Sequence, residues 1–288
     1  MIKRNNYSDY CSPGTDIQTR YIGVSNKIQL FEIHFTPKKL TKYPPIIFIP
    51  GWGSFIHGWK IVLKEMSKHF EIYYIETREK SSAKHTKEQK ISIQNIGDDI
   101  ARAVQLHKID DNSYITLGSS MGATVILDAI AANKLNPSLA VLIGPNIEFN
   151  IPRFLIIIIA VIPTQLYMLI KPLAKWYMKK KYIDMDSDSK QYHKYAYVLD
   201  NIHLGRTRRS ALSFKQYSFQ DKIKQIKKRI LVFSGKKDIL HSYEKTLEMV
   251  NAIDGATLIN LETNERTHSV EMVDQLMNYL NKSNLFKK

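Results

Sequence analysis

The chain has 288 residues, of which 44% are hydrophobic and 24% are charged. This composition is typical of a globular protein with a large core, and it excludes a disordered chain. The formal net charge of +15 indicates an anionic partner, either a membrane surface or nucleic acid. Cys11 is the only cysteine, which excludes an intramolecular disulfide. No apolar stretch follows the basic N-terminal residues, so we expect no signal peptide.

The first half of the chain begins with a hairpin pattern and continues with strands that alternate with helices. Residues 18–36 alternate apolar and polar side chains around a break at 25–27, which predicts a β-hairpin. The segments that follow are a buried strand, a helix, a second strand, a polar lysine-rich connection and a helix, at 46–49, 57–69, 72–75, 81–90 and 91–107.

The second half continues this alternation and contains one long interruption. Its first four segments are a strand, a glycine-rich turn, a helix and a strand, at 114–117, 118–122, 123–130 and 139–143. Residues 150–217 contain no clear strand pattern. A strand, a helix, a strand and a closing helix follow, at 230–233, 243–253, 256–261 and 270–280. This order predicts an α/β fold with a mostly parallel sheet of about eight strands and helices on both faces.

The turn at 118–122 has the sequence Gly-Ser-Ser-Met-Gly and joins a predicted strand to a predicted helix. In this setting the central serine, Ser120, is a candidate nucleophile. A serine hydroxyl needs a base within hydrogen-bond reach and a third group that orients the base. Such groups collect at the carboxyl ends of parallel strands. Asp238 and His268 each follow a predicted strand, and the three residues together predict a catalytic triad.

Four segments of the chain resemble the α/β-hydrolase family, and the resemblance extends over nearly the whole length. They are the turn at 118–122, the loop Pro-Gly-Trp-Gly at 50–53, the turn Gly-Lys-Lys-Asp at 235–238 and Thr-His-Ser at 267–269. The family's order of nucleophile, acid and histidine is also the order found here. The resemblance implies an α/β-hydrolase fold and a serine hydrolase activity.

The resemblance also implies a role for each site residue. Ser120 is the nucleophile, His268 is the base, and Asp238 orients that base. The backbone N–H groups of Trp52 and Met121 form the oxyanion hole, in which one donor contributes about 10²–10³ in rate. The residues implied in substrate binding are Phe55, Ser119, Phe154 and Leu155. Neither a metal nor an organic cofactor is implied.

The sequence also departs from the family pattern at several positions. The loop at 50–53 begins Pro-Gly where the family usually has His-Gly, so a side chain that often braces this loop is missing. Residues 76–79 are Glu-Thr-Arg-Glu where relatives often have Asp-x-Arg-Gly, so the glycine is absent. Glu148 is a second candidate for the triad acid, because it follows the predicted strand at 139–143 and some relatives have their acid after that strand. We interpret His57 as structural or exposed.

Residues 151–217 lie where the family inserts a variable lid, which predicts a core of 1–150 and 218–288 with an inserted helical lid. The insertion has 12 Lys and Arg against 4 Asp, so it carries +8 of the chain's +15. Its apolar run at 154–170 is at the lower length limit for a membrane span, and Pro163 interrupts it. Two interpretations remain open: the run roofs an apolar pocket, or it lies on an anionic membrane surface.

These features predict a serine hydrolase, esterase-like or lipase-like, that cleaves carboxylic esters of an apolar substrate. The same triad also serves acyltransferases and carbon–carbon bond hydrolases. A binding protein without turnover is a further alternative, in which Ser120 is a turn serine, His268 a surface histidine and Asp238 a helix cap. We expect a cytoplasmic protein with peripheral contact to the inner membrane surface through 151–217. No nucleic-acid partner is expected, because no recognised reader motif is present.

Overall fold

Nine strands form one mixed sheet in the part of the chain that the structure describes. The computed structural model describes residues 7–39, 41–149, 166–167, 171–172, 175–176, 197, 200–238, 241–283 and 285–286. The strands are β1 Asp16–Ser25, β2 Ile28–Thr36, β3 Ile46–Ile49, β4 Ile72–Glu76, β5 Lys84–His85, β6 Ile115–Ser119, β7 Leu139–Ile143, β8 Ile230–Ser234 and β9 Ala256–Asn260. The α-helices whose bounds the structure describes are α1 Lys60–Met66, α2 Ile93–Leu106, α3 Met121–Ala131, α4 Leu204–Phe214, α5 Tyr243–Asn251 and α6 Val270–Ser283.

The sheet has an antiparallel edge and a parallel centre. Its order is β1-β2-β4-β3-β6-β7-β8-β9, and β5 also pairs with β2. The pairs β1–β2, β2–β4 and β2–β5 are antiparallel, whereas every pair from β4 through β3 to β9 is parallel. The predicted hairpin and mostly parallel sheet are therefore confirmed. The ninth strand, β5, lies within the connection at 81–90, where the sequence predicts no strand. A strand of two residues is too short to produce a periodic pattern.

Helices cover both faces of the sheet. On one face α2, α3 and α5 form a buried cluster that includes Ile96 and Val125. On the other face α1 and α6 form a second cluster, with Leu63 and Leu276. Because both faces are covered, β3, β6, β7 and β8 are buried along their whole length. The sequences of β3 and β7, and of β8 up to Phe233, are therefore continuous apolar runs. The helix predicted at 57–69 is a 3₁₀ turn, Ile56–Trp59, followed by α1.

The parallel strands bring six loops to one edge of the sheet. The strands β3, β4, β6, β7, β8 and β9 all run in the same direction, so the segments that follow their carboxyl ends meet there. Most of the predicted lid at 151–217 lies outside the described residues, as do Phe154 and Leu155. Its last part contains α4. Among the helices that the structure describes, none has the length and apolar character needed to cross a bilayer.

A buried ion pair joins the segment after β4 to α2. The Arg78 guanidinium donates to both carboxylate oxygens of Asp99, over 2.6 and 2.7 Å. It also donates to the carbonyl oxygens of Lys90 and Asn95. Burial raises the pKa of the Asp99 carboxyl, and the hydrogen bonds from Arg78 oppose that shift. The arginine retained from the family pattern at 76–79 therefore fixes the loop that follows β4.

We expect Asp99→Asn to lower the free energy of unfolding by about 3 kcal/mol, because it leaves the Arg78 charge buried without its partner. The matched control is Asp98→Asn on the same helix, where the carboxylate is half-exposed and pairs with Lys134. An exposed pair contributes at most about 1 kcal/mol. Urea denaturation of both variants measures the difference. Equal losses in the two variants would contradict a structural role for the buried pair.

Candidate active site

Ser120 lies in a strained turn between β6 and α3. Its backbone has φ 50° and ψ −115°, a conformation that non-glycine residues rarely adopt. Its N–H donates to the carbonyl oxygen of Ile143 on the neighbouring strand β7, over 2.8 Å. The turn therefore holds the serine at the carboxyl edge of the sheet, with its position fixed by two elements.

Three glycines allow the backbone segments around Ser120 to touch. A Cβ at Gly122 would overlap the carbonyl oxygen of Ile49 and lie 2.9 Å from that of Pro50. A Cβ at Gly118 would lie 2.7 Å from the backbone nitrogen of Ala123. At Gly51 it would lie 3.3 Å from Ser120 Cβ, so the loop at 50–53 is in direct contact with the serine. The glycines of the predicted motifs are thus required by close packing.

A hydrogen-bonded chain connects Ser120 to Asp238 through a histidine. The Nε2 atom of His241 lies 3.1 Å from Ser120 Oγ, and its Nδ1 lies 2.9 Å from Asp238 Oδ2. Asp238 is 2% exposed and His241 is 11% exposed, so solvent screens this ion pair weakly. The arrangement fits a tautomer in which Nδ1–H donates to the carboxylate and Nε2 accepts the serine proton.

Two asparagines add polar contacts to this series of residues. The Asn146 side chain donates to Ser120 Oγ over 2.9 Å, from the loop after β7. The Asn264 side chain donates to Asp238 Oδ2 over 2.8 Å, from the loop after β9. The Asn146 N–H occupies one lone pair of the serine oxygen, which leaves the hydroxyl proton directed at His241. The Asn264 N–H holds the carboxylate oxygen that faces the His241 ring. Serine, histidine and aspartate therefore have the contacts of a nucleophile, a base and an orienting acid.

Comparison with known proteins identifies the family of this chain. A family model described as "Serine aminopeptidase, S33" (Hydrolase_4) matches residues 81–269, which is more than half of the chain. The chain belongs to this family of α/β hydrolases. No curated protein sequence is a significant match.

Solved structures are similar to this family member over almost its full length. An esterase from Exiguobacterium antarcticum is 14% identical with a TM-score of 0.71, covering 94% of this chain and 100% of its own. An enol-lactonase from Burkholderia xenovorans LB400 is 17% identical with a TM-score of 0.69, covering 91% and 98%. N-formylmaleamic acid deformylase from Pseudomonas putida S16 is 16% identical with a TM-score of 0.66, covering 91% and 100%. At these identities the likeness shows the fold alone.

In this α/β hydrolase the predicted base, His268, contacts Asn264 and Trp59. It ends the 3₁₀ turn Arg266–His268 before α6. Its Nδ1 donates to the carbonyl oxygen of Asn264 over 3.0 Å, and its ring packs 4.4 Å from that of Trp59. The structure thus brings Ser120 and Asp238 together through His241, and the role of His268 stays a prediction.

The other predicted site residues lie as follows. Met121 is the first residue of α3, where backbone N–H groups have no partner within the helix. Trp52 follows Gly51, and its indole donates to Ser210 Oγ on α4 over 2.9 Å. Phe55 lines a cleft together with Trp52, and Ser119 is buried at the end of β6. Glu148, the alternative acid, is half-exposed and paired with Lys245.

The sequence contains a signal for His241, which is its position close to the predicted acid. His241 follows Asp238 by three residues, so one loop after β8 supplies both the acid and the imidazole. Gly144 makes room for this ring, because a Cβ there would lie 3.1 Å from the His241 Cγ atom. Gly144 also has φ +51°, which favours glycine. Asn146 and Asn264 left no signal beyond their positions after strand ends.

We expect Gly144→Ala to slow the labelling of Ser120 by a fluorophosphonate about 10- to 100-fold, because the added methyl group displaces the His241 ring. The control is Gly23→Ala, where a Cβ meets no atom within 4 Å. Labelling rates are compared after thermal unfolding has verified that both variants are folded. An unchanged rate in folded Gly144→Ala would show that the His241 ring does not serve Ser120.

Proposed function

We propose that this protein hydrolyses carboxylic esters of apolar acyl groups through an acyl-enzyme on Ser120. The observation that carries the proposal is the contact chain from Ser120 Oγ through His241 to the buried carboxylate of Asp238. Membership of a hydrolase family supports a hydrolytic reaction. The ester substrate is favoured because a fold neighbour is an esterase and another is an enol-lactonase.

The reaction begins when Ser120 Oγ attacks the acyl carbon and its proton moves to His241 Nε2. The Asp238 carboxylate stabilises the imidazolium that forms. His241 then donates this proton to the alcohol oxygen, the carbon–oxygen bond breaks, and the alcohol leaves. Water attacks the acyl-enzyme with His241 again as the base, and the carboxylic acid is released as Ser120 regains its proton.

The oxyanion of each tetrahedral intermediate accepts hydrogen bonds from the backbone N–H groups of Trp52 and Met121. Two features support this part of the proposal. Met121 is at the positive end of the α3 dipole. The loop that carries Trp52 packs directly on Ser120 through Gly51. Donors that are fixed before the reaction cost no reorganisation while charge develops.

His268 is the second candidate for the base, and a specific contact favours keeping it. The carbonyl oxygen of Asn264 accepts from His268, and the side chain of Asn264 donates to Asp238. Asn264 thus links His268 to the acid. We favour His241 because its Nε2 is within hydrogen-bond reach of the serine oxygen.

An apolar substrate is proposed from the surroundings of the oxyanion loop. The cleft beside Trp52 is lined by the apolar side chains of Phe55 and Ile202 and also by polar residues, which include His203 and Thr207. The chain also concentrates +8 of its charge and a long apolar run in residues 151–217. We propose that this insertion contacts the acyl group and an anionic membrane surface, since apolar and basic residues together favour that interface.

We expect the protein to hydrolyse p-nitrophenyl esters, with medium or long acyl chains preferred over acetate. Ser120→Ala should lower kcat/KM about 10³–10⁶-fold, because the nucleophile is lost. Release of p-nitrophenol from a series of two to sixteen carbons measures both effects. Ser113→Ala, at an exposed serine before β6, is the control. Adding vesicles with anionic lipid should raise the rate for long chains.

Other outcomes of this assay would support the alternatives. Transfer of the acyl group to an added alcohol, at the expense of hydrolysis, would indicate an acyltransferase. Absence of turnover, combined with ligand-induced stabilisation that survives Ser120→Ala, would indicate a binding protein and contradict the proposed hydrolysis. A preference for acetate without any effect of vesicles would contradict the apolar, membrane-facing substrate.

We expect His241→Ala to lower kcat/KM for the best ester about 10²–10⁴-fold, because the general base is removed. His268→Ala should lower it less than about 10-fold, a smaller loss than removal of a base causes. Both variants are compared with the unaltered protein after circular dichroism has verified folding. The reverse ranking would identify His268 as the base and contradict the role proposed for His241.

A further inference from the structure

Lys80 is a buried lysine beneath the loop that carries the proposed oxyanion donor. The residue is 5% exposed, and its Nζ donates to the carbonyl oxygens of Gly51 and Ser54 over 2.9 and 2.7 Å. An ammonium group offers three donors and no acceptor, so carbonyl oxygens are suitable partners. Charged lysines are rarely buried unless paired. This one is placed where two turn carbonyls converge.

The two carbonyls belong to the first and last residues of one tight turn. The Ser54 N–H donates to Gly51 O over 3.1 Å, and Gly53 has φ +64°. A positive φ at the third position is the signature of a type II turn. Trp52 is the second residue, so its N–H is held by a turn whose two ends are bridged by the same ammonium group.

Lys80 and the proposed donor also share one peptide unit. The carbonyl of Gly51 and the N–H of Trp52 belong to the same planar amide, and in a trans peptide they point in opposite directions. A charge-assisted hydrogen bond to the carbonyl polarises the amide and strengthens its N–H as a donor. The Lys80 ammonium lies on the carbonyl side of this amide. Its polarising effect is felt at the Trp52 N–H on the opposite side, where the oxyanion develops.

The charge of Lys80 is compensated locally, and its backbone is held. Glu79 is also buried, its Oε1 lies 3.7 Å from Lys80 Nζ, and it accepts from Thr77 Oγ1 over 2.7 Å. The Arg206 guanidinium on α4 donates to the carbonyl oxygen of Lys80 over 2.7 Å. Glu79 stands where the family pattern has glycine. This chain thus differs from the family pattern at two places: it has Glu79 beside Lys80 instead of a glycine, and Pro50 instead of the histidine that often braces the loop.

We propose that Lys80 is a positioning residue that fixes the turn at 51–54 and polarises the Trp52 N–H toward the oxyanion. The inference rests on the proposed function, since it assigns how the oxyanion donor of that reaction is held. Lys80, from the segment after β4, thus takes the place of the histidine that often braces this loop in the family. The consequence is a specific loss of transition-state stabilisation when the ammonium is removed.

The test measures two variants against the unaltered protein. One is Lys80→Met, and the other is the double variant Glu79→Gln/Lys80→Met, in which both buried charges are removed so that no unpaired charge opposes folding. We expect kcat for a p-nitrophenyl ester to fall about 10- to 100-fold, up to the loss of one oxyanion donor, with KM changed less than threefold. The affinity of an alkyl boronic acid, which forms a tetrahedral adduct on serine, should fall by the same factor. Each rate is normalised to the active sites titrated by a fluorophosphonate.

Lys84→Met is the matched control, because Lys84 is an exposed lysine four residues away whose ammonium lies over the Tyr21 ring. We expect it to retain the rate and boronate affinity of the unaltered protein. Peptide-level hydrogen exchange over residues 50–56 provides a readout that does not need turnover. Exchange there should rise at least about tenfold in both Lys80 variants and stay unchanged in the control, since local opening frees the turn amides.

Distinct results separate this inference from the proposed function. Unchanged exchange at 50–56 in the Lys80 variants would overturn the bracing role, even if no ester were hydrolysed by any form of the protein. Increased exchange with kcat and boronate affinity retained would overturn the polarising role. A protein that hydrolyses no ester but shows the exchange and boronate effects would support the role of Lys80 and reject the ester substrate.

Discussion

The close contact between the turn at Ser120 and the loop after β3 is the constraint on which the site depends. Gly122 lies against the carbonyl groups of Ile49 and Pro50, and Gly51 lies against Ser120 itself. These contacts are possible because both segments end adjacent parallel strands, β3 and β6. A side chain at either contact would separate the nucleophile from the backbone that surrounds it. The geometry of the site is therefore set by backbone packing before any functional side chain is placed.

The loop after β3 is attached to several other elements. The Trp52 indole donates to Ser210 on α4, and the Trp59 indole donates to Ser54. Lys80 holds the turn carbonyls from the segment after β4, which is itself fixed by Arg78 and Asp99. Hydrogen bonds thus connect α2, the β4 segment, the loop and α4 in one series. A change in α4, where the insertion returns to the core, has a direct path to the backbone beside Ser120.

The sequence predicted the fold well for a physical reason. Parallel strands covered on both faces are continuous apolar runs, so β3, β7 and β8 were located almost to the residue. The turn at 118–122 was readable because its glycines are required by close contacts. The two-residue strand β5 was missed, since a short polar pairing has no periodicity.

The partners of Ser120 were harder to read. His241 and His268 both follow strand ends. The three-residue spacing places His241 in the same loop as Asp238, but it does not by itself say which ring reaches the serine. That choice depends on the missing side chain at Gly144, which leaves room for the His241 ring, and on contacts between loops that are distant in sequence. Lys80 gave no signal, because its partners are backbone carbonyls, which every residue possesses. Side chains that bind backbone atoms are therefore the part of the site least accessible from sequence.

The conformation of Ser120 sets two requirements of the fold against each other. At φ 50° and ψ −115° a glycine would be less strained than a serine, by about 1–3 kcal/mol. A glycine would thus stabilise this turn and at the same time remove the hydroxyl that lies beside His241. The strain is the folding free energy that this sequence gives up to hold a side chain at the turn.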